Sequence, residues 1–349
     1  MPEQPSCFHV PSMSLALGVY VDDLTLSGPQ KNHSKFWSTL QKHVRLEEPA
    51  ELSKVLGRNH VMCDQGLALH SADFAKQCVE LYEQLSCKKV KHFRTPHCDG
   101  GTLVETDDQC VGQLSASSAK LVMKLKWLGR ISRPDIMVAI NTLARNITRW
   151  SMNDDKRAAR LVGYIAATVD YAHVMRIKDP PAKLWLSLYV DSDFGSSPDM
   201  KSTSGFIIAL EGPDSFAIIL WGSKTQRAVS RSTTEAEFVA LSTALLGEAI
   251  SLLAVCQRVI DPGFILKCFE DNQAVMARIA KGYSPKLKHL AKFHRLNVAS
   301  TCEAFSAEDI LIQYIQTSHQ KADVMNKALP VSLWSGVLDL LCIKPVTAT

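Results

Sequence analysis

Four carboxylates between residues 191 and 323 each fall where a strand-like segment meets a helix-like one. Asp191 closes the apolar run LWLSLYVD. Glu237 lies in the first turns of the long amphipathic stretch STTEAEFVALSTALLGEA. Asp271 ends ILKCFED, and Asp323 follows ILIQYI in the helix start SHQKADVMNK. The segments run in a βββαβαβα-like order, which calls for a mixed sheet flanked by helices. Each acid alone has an ordinary explanation. Asp271 or Asn272 suits a helix cap, Asp191 a turn, and Asp323 complements a helix macrodipole. Thr234 and Glu237 have capping-box spacing, but so do Ser232 and Glu235; with Ser232 as the cap, Glu237 is free.

Taken together, the four point to a cation site. Carboxylates packed side by side repel one another unless metal neutralises them. Magnesium takes oxygen ligands and keeps part of its water. Two ions about 3.5–4 Å apart can serve both the attacking and the leaving oxygen of an in-line phosphodiester displacement. The expected cofactor is therefore two Mg2+ or Mn2+ ions. Asp193 shares a strand face with Asp191 if the strand stays extended, which makes it an auxiliary ligand.

The motifs around these acids carry a family resemblance. DSDFGSSPDMKSTSGFIIAL, WGSKTQRAVSRSTTEAEFVALSTA, EDNQAVMARIA, KHLAKFHRLNV and QTSHQKADVMNKAL, in that order, resemble the ribonuclease H domain of copia-type retrotransposon polyproteins. The family's motifs are close to SDADWAG with RKSTSGY, SSTEAEY, DNQSAI and QIADIFTK. Ser192 and Phe194 depart from the family's Ala and Trp. By matching positions the resemblance implies that Asp191, Glu237, Asp271 and Asp323 are the catalytic, metal-holding acids. It covers residues 184 to 330.

The N-terminal half points the same way. LALGVYVDDLTLSG places Tyr20, Asp22 and Asp23 in a YVDD hairpin that resembles the palm motif of reverse transcriptases. KVLGRNHV, RTP at 94–96 and KLKWLGRISRPDIMVAINTLARNITRW resemble the region leading into thumb and connection. Nearly the whole chain thus resembles the C-terminal part of a copia-type Pol polyprotein. The implied fold is α/β, a ribonuclease H-like mixed sheet with flanking helices, preceded by a truncated palm remnant and a helical thumb/connection region. The implied activity is two-metal hydrolysis of the RNA strand of RNA–DNA hybrids, leaving a 3′-hydroxyl and a 5′-phosphate. The implied partners are such a hybrid or other nucleic acid, and an upstream reverse-transcriptase fragment. Only nineteen residues precede Tyr20 and none is an aspartate, so polymerase activity is not expected of this chain alone. The alternative is a non-catalytic nucleic-acid-binding remnant, or a subunit of a decayed element.

Further positions follow from the same motifs. Lys201, Ser202, Thr203 and Ser204 suit contact with phosphate or a 2′-hydroxyl, or else a tight strand-entry turn. Lys288, His289 and His294 suit nucleic-acid contact or packing of the loop between the third and fourth acids. His319 is an auxiliary candidate, with a surface or capping role the simpler reading. The expected boundaries are a palm remnant over 1–60, a thumb/connection region over 61–175, a linker RIKDPPAK over 176–183, the ribonuclease H-like domain over 184–330 and a tail over 331–349.

Net charge is +4, which alone says little about nucleic acid, and the composition is that of an ordinary globular protein, expected to be intracellular. Residues 1–183 hold 24 Lys/Arg against 19 Asp/Glu, and the remainder holds 15 against 16. Ten basic residues against three acids fall within 120–160. That stretch has helical spacing broken near Pro134, with Trp127 and Trp150 available to stack on bases or to pack. No apolar run reaches bilayer length, so no membrane partner is expected. No secretory signal is present. Ten cysteines without metal spacing read as reduced, mostly buried thiols.

Overall fold

The computed structural model describes residues 1, 4–98, 100–197, 199–282 and 287–346. Alternating apolar residues near the N-terminus build a small antiparallel sheet of β1 (Cys7–Val10), β2 (Leu15–Tyr20) and β3 (Asp23–Ser27). Tyr20 pairs with Asp23 across a two-residue turn, and Val21 there has a left-handed φ of 52°. Helix α1 (His33–Leu40) follows. Next come β4 (Lys54–Val55), β5 (Arg58–Cys63) and β6 (Gly66–His70), then helix α2 (Ala72–Ser86). Strand β5 therefore crosses the boundary expected at residue 60.

Three helices form the middle of the chain: α3 (Ser118–Ile131), α4 (Met137–Arg145) and α5 (Met152–Ala167). The break near Pro134 is a short 3-10 turn, Pro134–Ile136. Ser151 and Asp154 close a full capping box at the start of α5. Trp150 is buried and donates to Asp155 at 2.8 Å, and Trp127 packs on Phe74 with centroids 4.1 Å apart. Both tryptophans are packing residues.

One buried ion pair ties this region together. Arg133 donates to both carboxylate oxygens of Asp135 and to the Thr168 carbonyl and hydroxyl, at 2.7–3.2 Å. Tyr164 donates to Asp135 at 2.7 Å, and Trp334 Nε1 lies 3.3 Å from the Tyr164 hydroxyl. The network joins the α3–α4 turn to α5 and to the C-terminal helix.

Strand β7 (Tyr171–Met175) leads into the main sheet of β8 (Trp185–Asp193), β9 (Thr203–Glu211) and β10 (Phe216–Thr225). The segment expected as a free linker is pinned. Arg176 exchanges backbone hydrogen bonds with Phe216, and the Ser215 hydroxyl accepts from Lys178 and Asp179. EGPD forms the β9–β10 turn. Helices α6 (Thr233–Ala244) and α7 (Ile250–Val259) run on through a π-turn at Leu245–Ala249. Apolar spacing predicts one buried stripe through Phe238, Leu241, Leu245, Ala249 and Leu252, and the first four are fully buried. Past the π-turn the buried position is Leu253, and Leu252 is only partly buried. Thr233–Val259 is long and apolar enough, by length and composition, to cross a membrane, which corrects the expectation that no run is. Here its apolar side chains pack into the protein core.

Strand β11 (Leu266–Glu270), helices α8 (Gln273–Lys281), α9 (Lys288–Phe293) and α10 (Val298–Ala304), and β12 (Ile310–Tyr314) complete the sheet. Its order is β10-β9-β8-β11-β12. The first three strands are antiparallel, and β11 runs parallel to both β8 and β12. The tail is not a loose end: α11 (Trp334–Leu340) and β13 (Ile343–Pro345) follow, and β13 pairs with β7 in a second sheet, β13-β7-β6-β5-β4.

Strand alternation sorts the main sheet's side chains to two cores. Leu186, Leu188, Val190 and Ile208 meet α6, α7 and α8. Tyr189, Ile207, Ala209, Ile218 and Trp221 share a core with α2 to α5. Trp221 donates to the Gly129 carbonyl at 2.9 Å, and Asn141 to that of Ser223 at 2.8 Å. None of the ten cysteines is in a disulfide. Three are buried, five half-buried and two exposed, fewer buried than expected. Removing one partner of a buried ion pair strands the other charge, so Asp135→Ala should lower unfolding free energy by about 3–5 kcal/mol. Urea denaturation of the two chains measures this.

Candidate functional site

The carboxyl ends of β8, β11 and β12 open on one edge of the sheet. The chain leaves β8 toward β9 on one side and returns to β11 on the other, so strand order reverses between β8 and β11. Open α/β sheets bind ligands in the crevice at such a switch point. The four predicted acids lie on the elements around it.

Asp191 is buried near the end of β8, opposite Gly205 in the β8–β9 register. A Cβ at Gly205 would stand 2.8 Å from Met325 Cβ and 2.9 Å from the Ala322 carbonyl. Glycine there lets the short 3-10 helix Lys321–Met325 settle on the sheet. That helix carries Asp323 to Asp191. Lys327 Nζ bridges the two acids, 2.8 Å from Asp191 Oδ2 and 2.7 Å from Asp323 Oδ1. Asn326 donates to Asp191 at 2.7 Å. Burial pushes the Asp191 carboxyl up, but Lys327, Asp323 and Asn326 overcome it and leave it below its ordinary value. Burial lifts Asp323 to about 6, with the Asp191 charge adding to it and Lys327 opposing.

Ser232 caps α6, accepting from the Glu235 amide at 3.2 Å. Glu235 does not turn back to close a box. Its Oε2 meets His289 Nε2 at 3.0 Å and its Oε1 lies 3.7 Å from His294 Nε2. Glu237 is left free for the cluster. Burial, then the charges of Asp191, Glu270 and Asp271, push its carboxyl up to about 10. Asn272 takes the cap of α8 by accepting from Ala274 and Val275, so Asp271 is not spent there. Asp271 accepts from the Thr317 hydroxyl at 2.7 Å.

Three residues were missed by sequence reasoning. Glu270 is fully buried at the end of β11, and burial lifts its carboxyl to about 8. Its signal was available, because Leu266, Cys268 and Glu270 alternate onto one buried face. Lys327 stands four residues after Asp323, the spacing of a helical ion pair. Asn326 beside it had no signal.

The secondary candidates divide. Asp193 ends β8, half-buried, and Lys201 pairs with Asp199 at 2.8 Å. Ser202 is buried and accepts from the Gly195 amide at 3.2 Å, and Thr203 is buried at the start of β9; both serve the turn. Lys288 and His319 are exposed, while His289 and His294 point inward at Glu235. Tyr20, Asp22 and Asp23 form an exposed hairpin tip.

The donor set fits hard divalent cations. Every ligand at the cluster is a carboxylate, and one oxygen each of Glu237 and Glu270 is buried without a hydrogen-bond partner. Lys327 stands where a cation shared by Asp191 and Asp323 would stand. Among the described residues, no group of three or more His, Cys, Asp or Glu is set to hold a metal ion in the arrangement seen. A cation held by these acids would require side-chain movement, the departure of Lys327 included.

The chain is similar along most of its length to retrotransposon polyproteins of the copia type. It is 24% identical over 328 residues, 90% of the chain, to the retrovirus-related Pol polyprotein from transposon TNT 1-94 of Nicotiana tabacum. It is 26% identical over 319 residues, 89% of the chain, to that from transposon RE2 of Arabidopsis thaliana. It is 27% identical over 254 residues, 70% of the chain, to the transposon Ty1-DR1 Gag-Pol polyprotein of Saccharomyces cerevisiae. The chain spans 23%, 20% and 14% of these relatives. No protein-family model matches. Solved structures with local likeness include the N-terminal RNase H domain of rv2228c from Mycobacterium tuberculosis, at 14% identity, 45% of this chain, 96% of that one and a TM-score of 0.29. Another is the foamy viral protease-reverse transcriptase in complex with RNA/DNA hybrid, at 14% identity, 90% of this chain, 37% of that one and a TM-score of 0.45.

The raised carboxyls have a consequence for stability. Glu237 and Glu270 hold protons in the folded chain that the unfolded chain releases near the ordinary glutamate value of 4.5. Their contribution is complete below that pH and is lost as pH rises toward 8 and beyond. With chelator present, Glu237→Gln should melt higher than the parent, by a margin wider at pH 8 than at pH 5. Thermal melts at the two pH values check this.

Proposed function

We propose that this chain is a metal-dependent endonuclease that hydrolyses the RNA strand of RNA–DNA hybrids. The observation that carries the proposal is the cluster at the β8–β11 switch point, where Glu237 and Glu270 each keep a buried, unpartnered carboxyl oxygen and a lysine bridges Asp191 and Asp323. In this reading Asp191, Glu237, Asp271 and Asp323 hold two Mg2+ or Mn2+ ions, with Glu270 beside them and Asp193 auxiliary. When bound, the ions supply the charge that activates water and steadies the leaving oxygen.

The chain's own residues do the rest. Asp191 is kept ionised chiefly by Lys327 and held in place by the Asn326 amide. Glu237, raised by burial and its neighbours, would have to give up its proton to hold a cation. Lys327 compensates Asp191 and Asp323 in the ion-free protein and would have to leave them for a cation to take its place. Exposed Lys288 is available to phosphates at the rim, and half-buried Lys201 could turn to them from Asp199. The order of the motifs and the similarity to Pol polyproteins support a nucleic-acid substrate. In the same reading the YVDD hairpin corresponds to the acidic turn of a polymerase palm, with an upstream reverse-transcriptase fragment as a partner.

The direct test is a labelled RNA–DNA hybrid incubated with the chain and Mg2+, Mn2+ or chelator. Cutting of the RNA strand only, dependent on metal and lost in Asp191→Asn and Glu237→Gln, is the expected result. Cutting that survives in Asp191→Asn rejects the site. Salt-sensitive hybrid binding with no cutting moves the chain to a binding role. Lys327→Met should destabilise the ion-free protein by leaving Asp191 and Asp323 uncompensated. Its melting temperature should then gain more from added Mg2+ than the parent's does, as calorimetry with and without chelator will show.

A further inference from the structure

On the face of the sheet shared with the helical half, a short stack lies directly under the acids. Tyr189 of β8 stacks on Phe269 of β11, with ring centroids 4.7 Å apart and planes at 12°. Lys321 Nζ lies 4.6 Å from the Tyr189 ring centroid and 4.0 Å from that of Phe216. The same ammonium is 2.7 Å from Glu211 Oε1 and 3.1 Å from the Tyr189 hydroxyl. Glu211 is itself buried and accepts from Ser187 at 2.7 Å and from Tyr189 at 3.0 Å. Gln320, the neighbour of Lys321, reaches the Phe269 carbonyl at 3.5 Å.

Each of the three stacked residues precedes a candidate ligand by two positions: Tyr189 before Asp191, Phe269 before Asp271, and Lys321 before Asp323. On β8 that offset returns to the same face, while Asp271 follows directly on β11 and Lys321 opens the 3-10 helix that carries Asp323. The stack therefore joins the three elements that carry these acids. We propose that Tyr189, Phe269 and Lys321 are positioning residues, which fix the spacing of Asp191, Asp271 and Asp323 and so set the affinity of the site for divalent cations. The inference rests on the two-metal reading above.

Groups that orient metal ligands without touching the ion typically govern affinity by about 10–100-fold. Mn2+ binding followed by electron paramagnetic resonance reads this without reference to cleavage. Lys321→Met and Tyr189→Leu should each weaken Mn2+ binding by about ten-fold or more. Lys321→Arg should restore most of it, because a guanidinium can stack on Tyr189 and still meet Glu211. Tyr189→Phe keeps the stack, loses only the hydroxyl and should fall in between. If Tyr189→Leu does not fold, Tyr189→Phe and the two Lys321 variants decide. Variants that melt lower in chelator yet bind Mn2+ as tightly as the parent would show a merely structural stack and overturn the inference. A parent chain that binds no Mn2+ would instead sink the metal reading itself, and this inference with it.

Discussion

Burial of β8 on both faces is the constraint from which the rest of the architecture follows. Its even-numbered apolar residues meet α6 and its neighbours, while Tyr189 enters the core built by α2 to α5. A strand enclosed in this way cannot slip by one residue without driving polar groups into one core and apolar groups out of the other. Asp191 therefore has a fixed place at the end of a fixed strand. Gly205 across the register then admits the helix that brings Asp323 and Lys327.

The site that results is electrostatically unfinished. Asp191 and Asp323 share one ammonium, and Glu237 and Glu270 avoid mutual repulsion by holding protons. These are two different solutions to one problem, charge compensation on one side and charge suppression on the other. Carboxylates held this way cost stability, as expected of a binding site and not of a core.

Much of this was legible in the residues. The four acids stood at the ends of recognisable strands and helix starts, and the competing caps resolved as the spacing allowed, with Ser232 and Asn272 capping. Other features were hidden for physical reasons. Glu235 closes no capping box because two histidines some fifty residues onward claim its carboxylate, a tertiary contact with no local trace. The stripe along α6 and α7 loses phase after Ala249 because a π-turn inserts one residue. RIKDPPAK has linker composition, yet the backbone of Phe216 and the Ser215 hydroxyl at the β9–β10 turn hold it. Glu270 was passed over for its neighbour Asp271 although strand alternation already placed it inward.

The shared core beneath β8, β9 and β10 bears on how the chain comes apart. Trp221, Ile218 and Ile207 are covered by helices that lie before the nuclease-like segment in sequence, and β13 returns from its far side to pair with β7. The chain has sequence boundaries where its packing has none. Its halves should therefore lose structure cooperatively, and the segment from residue 184 to 330, cut free, would present a wide apolar sheet face to water.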